Sequence, residues 1–415
     1  MPYLVILTFL LAPAYVMRFN LLGFPTNLLM LWVFFVWMAF GAWLIIKKQS
    51  FAISTAVEIA NDNNLLILTG LFFLSGFISL FVGGADRAKL GQFIVLFLQP
   101  ISLFFIAGYI FKQNPNTKYI IQNTLYFLLA AAGLYAIFQY FTLIGLPPAW
   151  WGNSNEPKRA LSFFIHPNFY ALWCAPLLAL LVPDVIQRAK GIGLRAKSWG
   201  ILWVIGGVGL FLSLSRAGWL GLGVAMIVYL IIVADKKIRR MVFSAAVVLA
   251  IIIVAIPNFR YRLLLPFYGE KSTVSRLSLW ETGWKGVKES PVLGLGLTGF
   301  SKQWPTLNTD PGLTDTHNFP HNIFLDLWVE TGLLGLISLI GLIGLLIYRG
   351  LSAVSPPGSS GGVPREAGGG GSNHDIIKLS VALFLIALLF QGQIDNPYFK
   401  NDLAMVFWMV LALAA

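Results

Sequence analysis

Residues 321–348 read "HNIFLDLWVETGLLGLISLIGLIGLLIY", and beyond Glu330 no charged side chain interrupts the run before Arg349. Crossing a bilayer takes about 20 mostly apolar residues, so this stretch is a transmembrane helix. Comparable runs lie near 2–17, 28–46, 64–82, 92–111, 119–144, 161–182, 199–214, 217–234, 241–257, 376–394 and 398–415. A composition of 57% hydrophobic against 11% charged residues excludes an ordinary soluble domain. The expectation is an all-α polytopic membrane protein with about 12 transmembrane helices. The first run lacks a small-residue cleavage site and stays as a span.

Lys and Arg are retained on the cytoplasmic side of short connections. With the N-terminus inside, the inner connections hold Lys47, Lys48, Lys112, Lys118, Arg188, Lys190, Arg195, Lys197 and the cluster Lys236, Lys237, Arg239 and Arg240. The short outer connections hold Arg18, Arg87, Lys89, Lys158, Arg159, Arg216 and Lys400. Both termini are therefore expected to be cytoplasmic. The division of the chain follows: helices 1–9 in residues 1–257, a large outer segment in 258–322, helix 10 in 323–348, a flexible cytoplasmic linker in 349–375 and helices 11–12 in 376–415. The linker rests on the Gly, Ser and Pro of "SAVSPPGSSGGVPREAGGGGSNH", 352–374. Within the outer segment Ser272 is a candidate cap for a helix with Leu277, Trp280, Trp284 and Val287 at helical spacing, ended by Pro291 and the glycines of "GLGLTGF". That stripe suits an interfacial helix, with Arg276 at its edge near head-group phosphates.

The net charge of +12 points to anionic membrane lipid rather than nucleic acid, because a set of spans displays no continuous basic face to a duplex. Cys174 is the one cysteine and lies in a span, which leaves no intrachain disulfide.

Just ahead of the opening run, "THNFPHN" sets His317 and His321 four apart, a spacing zinc enzymes use on a helix. Pro320 separates the two, because it pushes Phe319 to extended backbone and starts the helix at about 320 or 321. No metal is expected. Thr316 and Asn318 are candidate caps, and His321 falls in the first helical turn, where the helix dipole disfavours imidazolium and leaves a neutral ring able to act as a base. Asp326 and Glu330, four apart within the helix, read as supporting polar groups. Arg216, in "SLSRAGWLG", occupies a short connection on the same expected side, where a guanidinium is costly unless it meets an anion. Its fork matches phosphate. Lys158, Arg159 and His166 follow in "NSNEPKRALSFFIHPNFYA". Cations beside a candidate base point to a lipid-linked pyrophosphate substrate.

"SLSRAGWLG", "SRLSLWETGWKGVKESPVLGLGLTGF" and "HNIFLDLWVETGLLGL", in that order over 213–336, resemble the shared core of the O-antigen ligase and polymerase superfamily. The resemblance implies a fold of the GT-C type with its large segment periplasmic. It implies a glycosyltransferase at the periplasmic face of a Gram-negative inner membrane, taking glycan from undecaprenyl pyrophosphate with inversion and without metal or other cofactor. In the ligases the acceptor is the lipid A core oligosaccharide of lipopolysaccharide. Carried over by motif, His321 is the base, Arg216 and Arg159 contact pyrophosphate, and Arg276 matches the arginine that opens the outer helix. Lys158 and Asp395 are secondary additions. Polymerases share the last motif and the donor, so lengthening of undecaprenyl-linked glycan is the alternative. A lipid-linked oligosaccharide transporter is a further class, but it calls for ionisable groups near the midplane, whereas the charges here gather at the outer rim.

Overall fold

In hydrocarbon every backbone N–H and C=O must find its partner inside the chain, which leaves these apolar runs one local solution, the α-helix. The computed structural model describes residues 1–21, 24–48, 55, 58–59, 63–153, 157–189, 194–233, 236–265, 271–308, 310, 319–354 and 373–415. Among them the helices are α1 (Pro2–Leu11), α2 (Leu28–Lys47), α3 (Asn63–Phe81), α4 (Arg87–Gln113), α5 (Asn116–Thr142), α6 (Pro167–Ala189), α7 (Leu194–Leu212) and α8 (Arg216–Ile232). They continue as α9 (Lys236–Ala255), α10 (Pro257–Leu264), α11 (Lys271–Glu289), α12 (Gly299–Leu307), α13 (Ile323–Ser352), α14 (Asn373–Gln391) and α15 (Asn401–Ala414). The chain is an all-α membrane protein. Among the described residues eight helices are long and apolar enough to cross a bilayer, in α2 to α6, α9, α13 and α14. The other four expected runs form shorter apolar helices, Pro2–Val16, Lys197–Leu212, Arg216–Ile232 and Asp402–Ala414. Most of the expected linker, 355–372, lies outside the described residues.

One small sheet was not expected: β1 (Arg18–Leu21) pairs antiparallel with β2 (Phe24–Asn27) between the first two apolar runs. Asn27 then caps α2, its side chain accepting from the Met30 amide at 2.9 Å.

Contacts divide the chain into two units. The first comprises Met1–Thr124, Val274–Leu345 and Gly392–Ala415. Its core sets α15 against α4, with Phe104 and Phe72 around the buried Trp408 at ring separations of 5.7 and 6.1 Å. Pro100 has no N–H to return to the Leu96 carbonyl four residues back, and α4 passes through a π-helical turn at Ile94–Leu98. The Tyr398 hydroxyl donates to that carbonyl at 2.6 Å, and Trp408 Nε1 donates to Tyr398 Oη at 3.0 Å.

α13 is interrupted in the same unit. Gly332 takes φ 67° and ψ −170°, a region open to glycine almost alone. The segment after α11 lies along this break: the Leu295 amide donates to Val329 O at 2.6 Å, the Leu333 amide to Val292 O at 3.0 Å, and Trp328 Nε1 to Pro291 O at 2.7 Å. Glu330 accepts from the Thr298 and Phe300 amides at 2.5 and 3.1 Å, which caps the start of α12. A Cβ at Gly332 would strike the Val292 and Leu293 backbone. Gly332→Ala is expected to cost about 2 kcal/mol or more, read as a fall in the midpoint of thermal unfolding in detergent, while Gly344→Ala, in open space, leaves it unchanged.

The expected stripe on α11 divides between two faces. Leu279, Thr282, Gly283, Gly286 and Val287 form the buried face, joined by Leu295, Phe300, Trp304, Leu307 and Val329, whereas Leu277 and Trp284 are exposed. Ser272 lies inside the helix rather than capping it, because helical backbone already begins at Lys271.

The second unit comprises Leu125–Thr273 and Leu346–Gln391. It is built on α6, buried along most of its length, with α7, α8 and α14 packed on it and α8 also packed on α14. Close approach of α8 and α14 depends on a small residue, since a Cβ at Gly221 would come 2.5 Å from Ala387 O.

Candidate active site

Each unit holds part of the expected set of functional residues. In the first unit the site is built at the head of α13. Asn322, not His321, sets the helix start: its Oδ1 accepts from the Phe324 and Leu325 amides at 3.0 and 3.2 Å. His321 is therefore outside the helix rather than in its first turn, with left-handed backbone at φ 58°, a conformation His adopts more readily than most residues. The connection before α15 is fastened to the same point. The Ile323 amide donates to Gly392 O at 2.8 Å and Asn322 Nδ2 donates to Gln393 O at 3.1 Å.

This fastening sets Asp395 against His321, with 2.8 Å between Nδ1 and Oδ1. The His321 side chain is 27% exposed and the Asp395 carboxyl 4%. Burial would by itself raise the Asp395 carboxyl. The hydrogen bond and charge of His321, then the charges of Lys400 and Arg276, hold it well below the usual carboxylate range. An ionised carboxylate only accepts, so Nδ1–H donates, and a neutral tautomer with its proton there carries the lone pair on Nε2. The Asn396 amide also donates to Asp395 Oδ1, at 2.9 Å, while Asn396 Nδ2 donates to Asp326 Oδ2. Asn396 Oδ1 accepts from the Tyr398 and Phe399 amides at 2.9 and 3.0 Å. Asp326 thus supports the loop that holds Asp395, as Glu330 supports α12. The Lys400 ammonium lies beside Asp395 and Asp402, and its desolvation holds it below the ordinary lysine range. Thr316, His317 and Asn318 lie outside the described residues.

In the second unit the site is built around the turn Ser213–Leu214–Ser215 between α7 and α8. Leu214 has φ 51°, and Ser215 caps α8, its side chain accepting from the Gly218 amide. Arg159 is 8% exposed and reaches this turn from the connection after α5: its Nε donates to Ser213 O at 2.9 Å and its Nη2 to Asn168 Oδ1 at 2.6 Å. Buried Gln139 holds that connection, donating to Ser162 O at 3.0 Å and accepting from the Ser162 amide at 2.8 Å. The Trp150 ring lies 5.5 Å from the Arg159 guanidinium and 4.6 Å from the His166 ring. Arg216 Nη1 donates to Arg262 O at 3.4 Å, and Arg262 Nε donates to Leu214 O at 3.2 Å. Lys158 stacks over Tyr140, 4.5 Å from the ring centre.

Arg159 and Arg216 thus meet at one turn, and His321 meets Asp395 in an environment that Arg276 also charges. Residues 201–340 match the family described as O-antigen ligase. Over that segment the chain is similar to the O-antigen ligase family. Such proteins are membrane glycosyltransferase-like enzymes of the ligase or polymerase kind that act on lipid-linked glycans. The family segment includes Arg216, Arg262, Arg276 and His321, while Lys158, Arg159 and Asp395 fall outside it. The chain is also 29% identical over 142 residues to an uncharacterized protein of Haemophilus influenzae, an alignment covering 30% of this chain and 36% of that protein. The chain thus spans about a third of that relative.

Sequence reasoning missed two contributors. Asn322 carried the signal of a cap residue directly before the first apolar position, with an acid in the first turn. Arg262 carried none, being one of several cations in 258–322.

Proposed function

We propose that the chain is an inverting, metal-independent glycosyltransferase that moves O-antigen glycan from undecaprenyl pyrophosphate to the lipid A core oligosaccharide. It would cross the inner membrane of a Gram-negative bacterium twelve times, with both termini cytoplasmic, 258–322 periplasmic and 349–375 a flexible inner linker. In this reading an acceptor hydroxyl loses its proton to His321 Nε2 as its oxygen bonds to the anomeric carbon. The bond from that carbon to the pyrophosphate oxygen breaks, and undecaprenyl pyrophosphate leaves with the electron pair. Arg216 and Arg159 meet the leaving charge, with Arg276 and Lys158 as further phosphate contacts. Asp395 holds the ring in the tautomer that presents Nε2 and balances the imidazolium that forms. The observation that supports this reading best is the 2.8 Å pairing of His321 Nδ1 with a buried carboxylate held in its ionised form.

The test is transfer in vitro by the purified chain, with undecaprenyl-pyrophosphate-linked glycan and rough lipopolysaccharide, in the presence of a chelator. Lipopolysaccharide of higher mass is expected. Lengthened lipid-linked glycan instead would make the chain a polymerase, and glycan moved across vesicles without new bonds would make it a transporter.

A further inference from the structure

We propose that Asn396 is a positioning residue for the base, keeping Asp395 in line with His321 by tying the loop that follows Asp395 to the first turn of α13. The inference rests on the reading that His321 takes the acceptor's proton. Asp395 Oδ1 meets two nitrogens, His321 Nδ1 at 2.8 Å and the Asn396 amide at 2.9 Å. That amide is fixed in turn by its own side chain, which is fully buried. Asn396 Oδ1 accepts from the Tyr398 and Phe399 amides at 2.9 and 3.0 Å, and Nδ2 donates to Asp326 Oδ2 on α13. Ahead of Asp395, Gly392 O and Gln393 O are bound to the Ile323 amide and to Asn322 Nδ2. Asp395 is thus fastened to the head of α13 on both sides, and the attachment after it runs through Asn396.

A turn requires less than this. Any short acceptor, Asp, Ser or Thr included, would serve the Tyr398 and Phe399 amides. Only a short amide accepts along the turn at one end while donating across to a carboxyl group at the other. The partner is costly as well. Asp326 is fully buried and its Oδ1 has no hydrogen-bond partner among the described residues, so packing alone would be better served by an apolar side chain. What the pair secures is direction. It fixes where the amide of Asn396 points, and that amide shares one carboxylate oxygen with His321. A misplacement of about 1 Å can cost about 10²-fold in rate, so a loop free to swing at Ile394 and Asp395 would disable the base without unfolding the chain.

Exchanging the two side chains tests this. Asn396→Asp keeps an acceptor for the turn but removes the donor and sets two carboxyl groups against each other. Adding Asp326→Asn restores the bond with its direction reversed. Asn396→Ser, which serves the turn without a charge but is too short to reach Asp326, takes the place of Asn396→Asp should that variant not fold. The full chain in nanodiscs carries nitrogen-15 in its four histidine rings, and His321→Ala identifies the His321 signals. Wild type is expected to show a hydrogen-bonded proton on His321 Nδ1. The Asn396 variants should lose that signal, with kcat about tenfold or more below wild type and donor KM unchanged. Losing a buried hydrogen bond also lowers the unfolding midpoint, but a purely structural loss would not move the ring proton or separate kcat from KM. The exchanged pair should recover both the signal and kcat, and Asp326→Asn alone, whose Oδ1 still accepts from Asn396, should keep them. A folded Asn396 variant with wild-type kcat, or one slowed with the His321 signal unchanged, overturns the proposal. So does an exchanged pair no better than Asn396→Asp, or an Asp326→Asn variant that loses both. If wild type gives the Nδ1 signal but transfers no glycan, the glycosyltransferase reading falls, and the ring signal alone decides Asn396.

Discussion

Replacement of His321 by alanine is expected to lower glycan transfer by about 10²–10⁴-fold, the range that general base catalysis contributes. The loss should appear in kcat with donor KM near wild type, because the pyrophosphate contacts are assigned to other side chains. His321 lies outside α13 and its ring is partly exposed, so the variant should keep its fold, with an unfolding midpoint lowered by loss of the partner of the buried Asp395 carboxylate. His321→Gln is expected to be as inactive, since an amide fills the space and donates a hydrogen bond but takes up no proton. Steady-state rates with saturating acceptor decide the matter. Near-normal turnover in either variant would remove His321 from the base role.

Much of the architecture was legible because the bilayer imposes it. An apolar run of the right length has one way to satisfy its backbone, so the apolar runs in the sequence and the helices of the structure coincide. Interruptions were not legible, since they depend on what lies alongside. "ETGLLG" reads as a continuous helix, and only the docking of 291–295 gives the left-handed Gly332 a reason. The buried face of α11 has the same cause. Leu277 and Trp284 match helical spacing as well as Leu279 and Val287 do, and periodicity alone does not say which face meets Phe300 and Trp304.

The site was legible where rarity made a residue conspicuous. His321 and Arg216 are polar groups at the margins of apolar runs, and such positions are costly enough to draw notice. Asp395 was harder to weigh, because "QIDNPYF" reads as turn chemistry. Its pairing with His321 spans |i−j| = 74 and follows from the backbone bonds that tie Gly392 and Gln393 to the head of α13.

Asp395→Asn is expected to lower transfer by about 10²-fold or more while leaving donor KM and the fold in place. An amide at this position can turn its NH₂ toward Nδ1, which moves the ring proton to Nε2 and leaves no base facing the acceptor. Even with the amide oxygen toward Nδ1, the charge that balances imidazolium is gone. Acid should expose the same group through stability. The carboxyl is held below its unfolded value of about 3.9, so its contribution is fully present above that value and is lost as pH falls through the lower folded one. Wild type should therefore exceed Asp395→Asn in unfolding midpoint near neutrality, with the gap closing as the buffer is taken from pH 5 toward pH 3. A gap that stays constant or widens over that range would mean the carboxylate is not held ionised by His321. Because Asp395 acts through His321, the double variant should transfer no more slowly than His321→Ala alone. A further loss on combining them would give Asp395 a separate contact with substrate.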